Sequence, residues 1–191
     1  MNRYHRYLNL PFEVTLQERI KSNLVSQSSG ESKYYPEIYN WLDFLDIKGS
    51  NPGYFYLPPN SKLPIHTDGV HSGKVGVDEN GPVKINITFG SEQTKMQWFK
   101  PKDDNYNLVN TGWYNLEDGE IKFQSITEES CIKLHEANTN RASIVNVGYL
   151  HGAYNPSDTG RWTLCVVLFD LNDNLLTWDD TLHKMRDYID V

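Results

Sequence analysis

From residue 53 onward, apolar and polar residues alternate in short segments, and this period of two constrains the fold more than any other feature of the chain. Alternation is typical of strands with one buried face, because successive side chains of a strand point to opposite sides. Turns rich in Gly, Pro, Asn and Asp separate the segments, and helices do not, which predicts a β-sandwich or a rolled-up barrel. The predicted strands are Gly53–Leu57, Val83–Phe89, Thr94–Phe99, Glu120–Ile126, Cys131–His135, Ala142–Val147 and Arg161–Phe169.

Helical periodicity is confined to the two ends of the chain. A capping box beginning at Thr15 predicts a first helix, and Pro36 suits the first turn of a second one that ends near Gly49. The last stretch of the chain carries apolar residues on one helical face. We therefore expect a single domain over residues 1–191, with a β core at about 53–170 and helical flanks at 13–49 and 178–189.

Composition excludes several classes of protein. The net charge of −7 disfavours binding to the phosphate backbone of nucleic acids. No apolar run approaches the roughly 20 residues of a membrane span, and the N-terminus lacks the apolar stretch of a secretory signal. Cys131 and Cys165 do not form a Cys-x-x-Cys pattern, so a reducing compartment, the cytoplasm, is expected. We expect no nucleic-acid partner and no membrane association, while the oligomeric state stays open.

The residues with the clearest chemical potential begin at His66-Thr67-Asp68. In an extended segment His66 and Asp68 point to the same side and can offer a nitrogen and an oxygen to one ion. The alternative is a solvated turn, since this short pattern is weak alone. It gains support from His151 at the end of a later predicted strand, and from Arg161, which follows ten residues after His151.

Two histidines and one carboxylate form the facial triad of non-haem Fe(II) oxygenases, which leaves open positions on the metal. Those positions suit a bidentate organic acid and O₂. The far carboxylate of such an acid needs an anchor, which the bidentate guanidinium of Arg161 can provide together with Thr163 on the same strand face. The competing interpretations are a surface ion pair for Arg161 and simple β-propensity for Thr163.

On these residues the sequence resembles the 2-oxoglutarate and Fe(II)-dependent dioxygenases. The family pattern of H-x-D, a distal His and an R-x-S appears here as His66-Thr67-Asp68, His151 and Arg161-Trp162-Thr163, with Thr in place of Ser. Three further segments are similar to family strands, namely Lys84–Phe89, Met96–Phe99 and Ser143–Asn155. The resemblance covers about residues 53–170 and implies a mainly β, cupin-like double-stranded β-helix, or jelly roll.

The resemblance also implies a site and a reaction. Fe(II) would be held by His66, Asp68 and His151, 2-oxoglutarate would chelate the iron and reach Arg161 and Thr163, and O₂ would take the remaining position. Asn86 is expected either to contact the cosubstrate or to pair within its own sheet. Halogenating members carry a small residue in place of the carboxylate ligand, so Asp68 implies hydroxylation of a C–H bond, with succinate as coproduct.

Two other functions remain open at this point. One is a cupin-like metal-dependent isomerase, lyase or dioxygenase that does not use 2-oxoglutarate, and the other is a non-catalytic jelly-roll binding module. The substrate can be a small molecule, an amino acid or a peptide. Lys84 is a candidate contact for an acidic substrate, the segment Pro101–Gly112 is expected to be a loop, and His5 is expected at the surface.

Overall fold

Strands dominate the computed structural model, which describes residues 2–17, 27–29, 31–68, 81–103, 109–115 and 119–190. Its strands are β1 (His5–Tyr7), β2 (Gln27–Ser29), β3 (Lys48–Gly49), β4 (Gly53–Leu57), β5 (Ser61–Lys62), β6 (Ile65–His66), β7 (Val83–Gly90), β8 (Lys95–Pro101), β9 (Val109–Asn115), β10 (Gly119–Ile126), β11 (Cys131–Asn138), β12 (Ser143–Asn146), β13 (His151–Asn155) and β14 (Arg161–Phe169). The helices are α1 (Pro36–Phe44) and α2 (Trp178–Lys184), with single 3-10 turns at Ser32–Tyr34, Glu128–Ser130 and Arg186–Tyr188.

The strands form two antiparallel sheets. The first sheet has the order β1-β12-β7-β14-β4-β2, with β3 also paired to β14. The second has the order β11-β8-β13-β6-β10-β9, with β5 also paired to β13. Between β4 and β14 the chain passes repeatedly from one sheet to the other. This topology is a double-stranded β-helix, or jelly roll, and confirms the predicted mainly β fold class.

The two faces of the first sheet differ in chemistry. Alternate residues of β7 and β14, such as Ile85, Ile87 and Leu164, are buried in the main hydrophobic core, where α1 and the C-terminal segment cover the sheet. The residues between them point toward the second sheet, a surface that we call the inner face. In β7 these are Lys84, Asn86 and Thr88, so the inner face is polar. An unusually polar interior face requires partners, because buried polar groups without hydrogen bonds are costly.

Local periodicity predicted the long strands well and the short ones poorly. Gly53–Leu57 and Arg161–Phe169 have the bounds expected, whereas β5, β6 and β13 had not been predicted as strands. The expected loop Pro101–Gly112 is wrong in its last part, because β9 begins at Val109 and pairs with β10.

The predicted helical flanks are shorter than expected where the structure describes them. Most of the first predicted helix lies in residues 18–26, outside the described residues, but residues 13–17 are not helical and Gln27–Ser29 is a strand paired with β4. The helix expected from Pro36 to near Gly49 is α1, which ends at Phe44. The C-terminal helix α2 ends at Lys184 and is followed by a 3-10 turn. No described helix combines the length and the apolar character required to cross a membrane.

The N-terminal strand is more deeply embedded than the sequence suggested. His5 is buried, so the expectation of a surface histidine is wrong. It lies on β1, which adds to the edge of the first sheet, and its ring contacts Tyr7 edge-on with centroids 4.4 Å apart. Tyr4 fills the space beside it against Trp98 and Tyr149. The aromatic residues of the N-terminus therefore close one end of the space between the sheets.

Candidate metal centre

The two histidines predicted as ligands meet because their strands are neighbours. β6 and β13 pair antiparallel, with His66 directly opposite His151. Residues opposite each other on adjacent strands share a face, and the two ring centroids are 4.5 Å apart. Both side chains are buried, at 4% exposure each. The strand pairing thus brings together two imidazoles that are far apart in the sequence.

Backbone carbonyls fix the orientation of both rings. Nδ1 of His66 lies 2.7 Å from the carbonyl oxygen of Pro64, and Nδ1 of His151 lies 2.9 Å from that of Tyr149. A carbonyl oxygen only accepts, so each Nδ1 carries a proton and each Nε2 is the ring nitrogen that faces Asp68. Burial and the neighbouring His66 lower the pKa of His151 to about 4, which keeps its imidazole neutral. Neutral imidazoles with a second nitrogen bonded to a carbonyl are the usual form of metal-binding histidines.

Asp68 completes the cluster. Its backbone N–H donates to Val147, which holds the residue just beyond the end of β6. Oδ1 lies 3.3 Å from Nε2 of His66 and 3.9 Å from Nε2 of His151. Burial opposes ionisation of Asp68, but Lys84 and the two histidines more than offset it and hold the pKa of this carboxyl well below its usual range. The third group is therefore a carboxylate and can act as an oxygen ligand.

The three candidate ligand atoms lie near one another, at separations somewhat longer than a bound ion imposes. Two atoms that each lie about 2.1 Å from a metal, at right angles, are about 3 Å apart. The candidate ligand atoms of His66, Asp68 and His151 lie within 4.8 Å of one another. Within the described ranges no other trio of His, Cys, Asp or Glu side chains does so. Two nitrogens and one oxygen suit a divalent first-row transition metal, so this cluster could hold such an ion.

The predicted anchor Arg161 is buried without a carboxylate. It is 7% exposed, and Nη1 donates to Thr139 Oγ1 at 2.5 Å. Its Nε has no hydrogen-bond partner, and no ion pair of Arg161 occurs with any described residue. Burial alone lowers its pKa to about 10, still far enough above neutrality to keep the guanidinium charged. A surface ion pair is therefore wrong as an explanation of this residue.

Thr163 and Asn86 lie on the same inner face. Thr163 stands two residues after Arg161 on β14, and its buried Oγ1 has no hydrogen-bond partner among the described residues. Asn86 lies opposite Ser143 on one side and Cys165 on the other. Asn86 Oδ1 and Ser143 Oγ are also buried without partners. Groups of this kind are usually satisfied by something bound, so the inner face has the polar character of a ligand site.

Two residues of this region escaped the sequence argument. Thr139, which holds Arg161, follows the end of β11 and carried no local signal. Lys84 was considered only as a contact for an acidic substrate, whereas its Nζ donates to Oδ2 of Asp68. Lys84 lies two residues before Asn86, so strand alternation puts both on the same face. That spacing is the sequence feature that could have indicated its place in the site.

Comparison with known proteins finds only distant structural similarity. No family model matches the sequence, and no curated protein matches it. The non-heme monooxygenase ThoJ has a TM-score of 0.39 and 17% identity over 72% of this chain, which spans about half (53%) of ThoJ. EvdO2 from Micromonospora carbonacea var. aurantiaca, complexed with 2-oxoglutarate, has a TM-score of 0.40 and 15% identity over 79% of this chain and 71% of its own. HygX from Streptomyces hygroscopicus, with nickel and 2-oxoglutarate bound, has a TM-score of 0.43 and 12% identity over 80% and 75%.

Proposed function

We propose that this protein is a non-haem Fe(II) and 2-oxoglutarate-dependent dioxygenase that hydroxylates an unactivated C–H bond. The observation that carries the proposal is the cluster of His66, Asp68 and His151, whose two imidazoles are buried and whose ligand atoms lie within 4.8 Å of one another. Two imidazole nitrogens and one carboxylate oxygen are the protein ligands of the facial triad, which leaves positions on the ion open. Bound Fe(II) would supply the activation of O₂, coupled to conversion of 2-oxoglutarate into succinate and CO₂.

The chain's own residues prepare this site in two ways. The carbonyl oxygens of Pro64 and Tyr149 hold the two imidazoles with Nε2 toward Asp68, so the rings are already oriented for metal binding. The low pKa of Asp68 keeps the carboxyl ionised without the metal. Both features lower the free energy that must be spent on assembling the ligand set.

Arg161 and Thr163 would anchor the distal carboxylate of 2-oxoglutarate. A buried guanidinium without an anionic partner is unfavourable by itself and becomes favourable when a carboxylate binds. Its Nε is available, and Thr163 adds a hydroxyl on the same face. Asn86 would contribute a further polar contact, which is supported by the unpartnered Oδ1 on the inner face.

The proposed substrate is a small molecule, an amino acid or a peptide. The acidic charge of the chain argues against nucleic acid as a partner. Both cysteines are buried free thiols, which supports a reducing location such as the cytoplasm. These features support the proposal without identifying one substrate.

The test is formation of succinate from 2-oxoglutarate in the presence of Fe(II) and O₂, measured even without substrate as uncoupled turnover. We expect turnover to fall to background in His66→Ala and Asp68→Ala and to persist in His183→Ala, a matched change on α2. Wild-type turnover in either triad variant would contradict the proposal. Anaerobic titration with 2-oxoglutarate adds a second readout. A visible charge-transfer band that appears in wild type and not in Arg161→Met supports use of 2-oxoglutarate, whereas metal binding without any band favours the cupin-like alternative.

A further inference from the structure

Lys84 contacts the carboxylate of the candidate metal centre, and the structure gives the two oxygens of that carboxylate different partners. Oδ1 of Asp68 faces the Nε2 atoms of His66 and His151. Oδ2 accepts a hydrogen bond from Nζ of Lys84. The two side chains are 12% and 19% exposed, so this ion pair is largely shielded from water.

Lys84 is the better anchored of the two partners. It lies on β7, which is paired on both sides, with Lys84 opposite Val145 of β12 and Val167 of β14. Its ammonium also lies 5.9 Å from the centre of the Phe55 ring, within the range of a cation–π contact. Asp68, in contrast, follows a strand of only two residues. Lys84, on the doubly paired strand β7, thus holds the carboxylate of Asp68, which lies just beyond the short strand β6.

We propose that Lys84 is a positioning residue for the metal, which holds Oδ2 of Asp68 so that Oδ1 faces the ion. The inference rests on the proposed metal centre and adds a role that the ligand set does not include. With Oδ2 held by the ammonium, Oδ1 is the oxygen turned toward the two imidazoles. Without that hydrogen bond the carboxylate is free to rotate, so metal binding must also order it.

The charge of Lys84 also affects metal affinity, in the direction opposite to its positioning effect. The direction of the change in affinity therefore tests the inference. A positive charge beside the site repels a divalent cation, so its removal alone would strengthen metal binding. Loss of a group that orients a ligand typically weakens metal binding or activity 10-fold to 100-fold. The two effects therefore predict changes in opposite directions for an uncharged replacement of Lys84.

The experiment measures the affinity of the full-length, metal-free protein for Co(II) by competition with a chelator, without 2-oxoglutarate and without O₂. Omitting the cosubstrate removes any contribution from a direct contact between Lys84 and an organic acid. We expect Lys84→Met to weaken Co(II) binding at least about 10-fold. We expect Lys84→Arg, which keeps a cationic donor, to remain within about 3-fold of wild type, a difference well below the loss expected for an orienting group.

Lys48→Met is the matched control, because the Lys48 ammonium is paired with Asp173, 2.9 Å away, a carboxylate outside the ligand set. It should leave Co(II) affinity unchanged. If Lys84→Met does not unfold cooperatively, Lys84→Gln replaces it, since the amide is uncharged and shorter, and the same weakening is expected.

Unchanged or tighter Co(II) binding in the uncharged variants would overturn the inference. His66→Ala and His151→Ala separate that result from a failure of the metal centre itself. Loss of binding in the histidine variants, with wild-type binding in Lys84→Met, refutes only the role of Lys84. Wild-type binding in the histidine variants as well refutes the metal centre.

Discussion

Replacing Arg161 with methionine should stabilise the unliganded protein while it removes binding of 2-oxoglutarate. Arg161 is buried, donates one hydrogen bond to Thr139, and has no carboxylate partner among the described residues. Methionine keeps an unbranched apolar stem and removes the charge. Thr139 keeps a partner after the change, because its Oγ1 also lies 2.9 Å from Oγ1 of Thr94. The substitution therefore removes an unfavourable buried charge without leaving a new unpaired group.

The expected magnitude follows from the pKa of Arg161. Burial lowers this pKa from 12.5 to about 10, and each unit corresponds to about 1.4 kcal/mol, so the charged form is disfavoured by about 3 kcal/mol. Loss of the hydrogen bond to Thr139 returns about 1 kcal/mol. The free energy of unfolding should rise by about 2 kcal/mol. For a chain of this length that corresponds to an increase in Tm of about 4–8 °C.

Urea unfolding of the metal-free proteins measures the difference directly, with a thermal melt as the second readout. Addition of 2-oxoglutarate to the anaerobic Co(II) form should raise Tm in wild type and leave it unchanged in Arg161→Met. Arg141→Met is the matched control, because Arg141 is exposed and bonded to Asp190 and Asn9. It should change the free energy of unfolding by less than about 1 kcal/mol. Destabilisation of Arg161→Met by more than about 1 kcal/mol would refute the reasoning, since Arg161 would then be a structural cation.

Two further predictions concern the scaffold. Burial, together with His135 and Arg6, lowers the pKa of His5 to about 4. The unfolded chain therefore binds the extra proton first, and stability should decrease by up to about 3 kcal/mol as pH falls from 6.5 toward 4. In His5→Phe the urea midpoint should depend less on pH over that range than in wild type. An unchanged pH profile would contradict the buried, neutral imidazole. Asn155→Ala should lower the free energy of unfolding by about 2–4 kcal/mol. The Asn155 amide donates to the carbonyl of Pro58, just after β4, and to that of Thr159, in the turn before Arg161. A loss below about 0.5 kcal/mol would show that the turn does not depend on this amide.

Strand periodicity carried the prediction of the fold, and it failed for the short strands and for the seven-residue β9. Arg161–Phe169 and Gly53–Leu57 were predicted with the bounds observed, because each long or apolar strand encodes its own buried face. β13 contains a glycine, an alanine and an asparagine, so its sequence does not favour a strand, and it forms through pairing with β6 and β8. Most of the helix expected to begin at Thr15 lies outside the described residues, and residues 27–29, expected to end it, form a strand on the edge of the first sheet.

The candidate site divides in a similar way. His66 and Asp68 share a side because of a local rule, and the spacing of His151 and Arg161 pointed to a second part of the same site. No local rule could show that Lys84 would bond to Asp68, or that Thr139 would hold Arg161. These contacts join different strands, and their existence depends on the register and packing of the two sheets.

Local patterns along the chain were enough to predict the mainly β class, the polar alternation of β7 and the side chains that could bind a metal. Register and packing, in contrast, placed His66 opposite His151, buried His5 and left the guanidinium of Arg161 without a carboxylate partner among the described residues. The physical reason is that periodicity and turn chemistry act over a few residues. Burial, desolvation and the pairing of charged groups depend instead on which distant segments the sheets bring together.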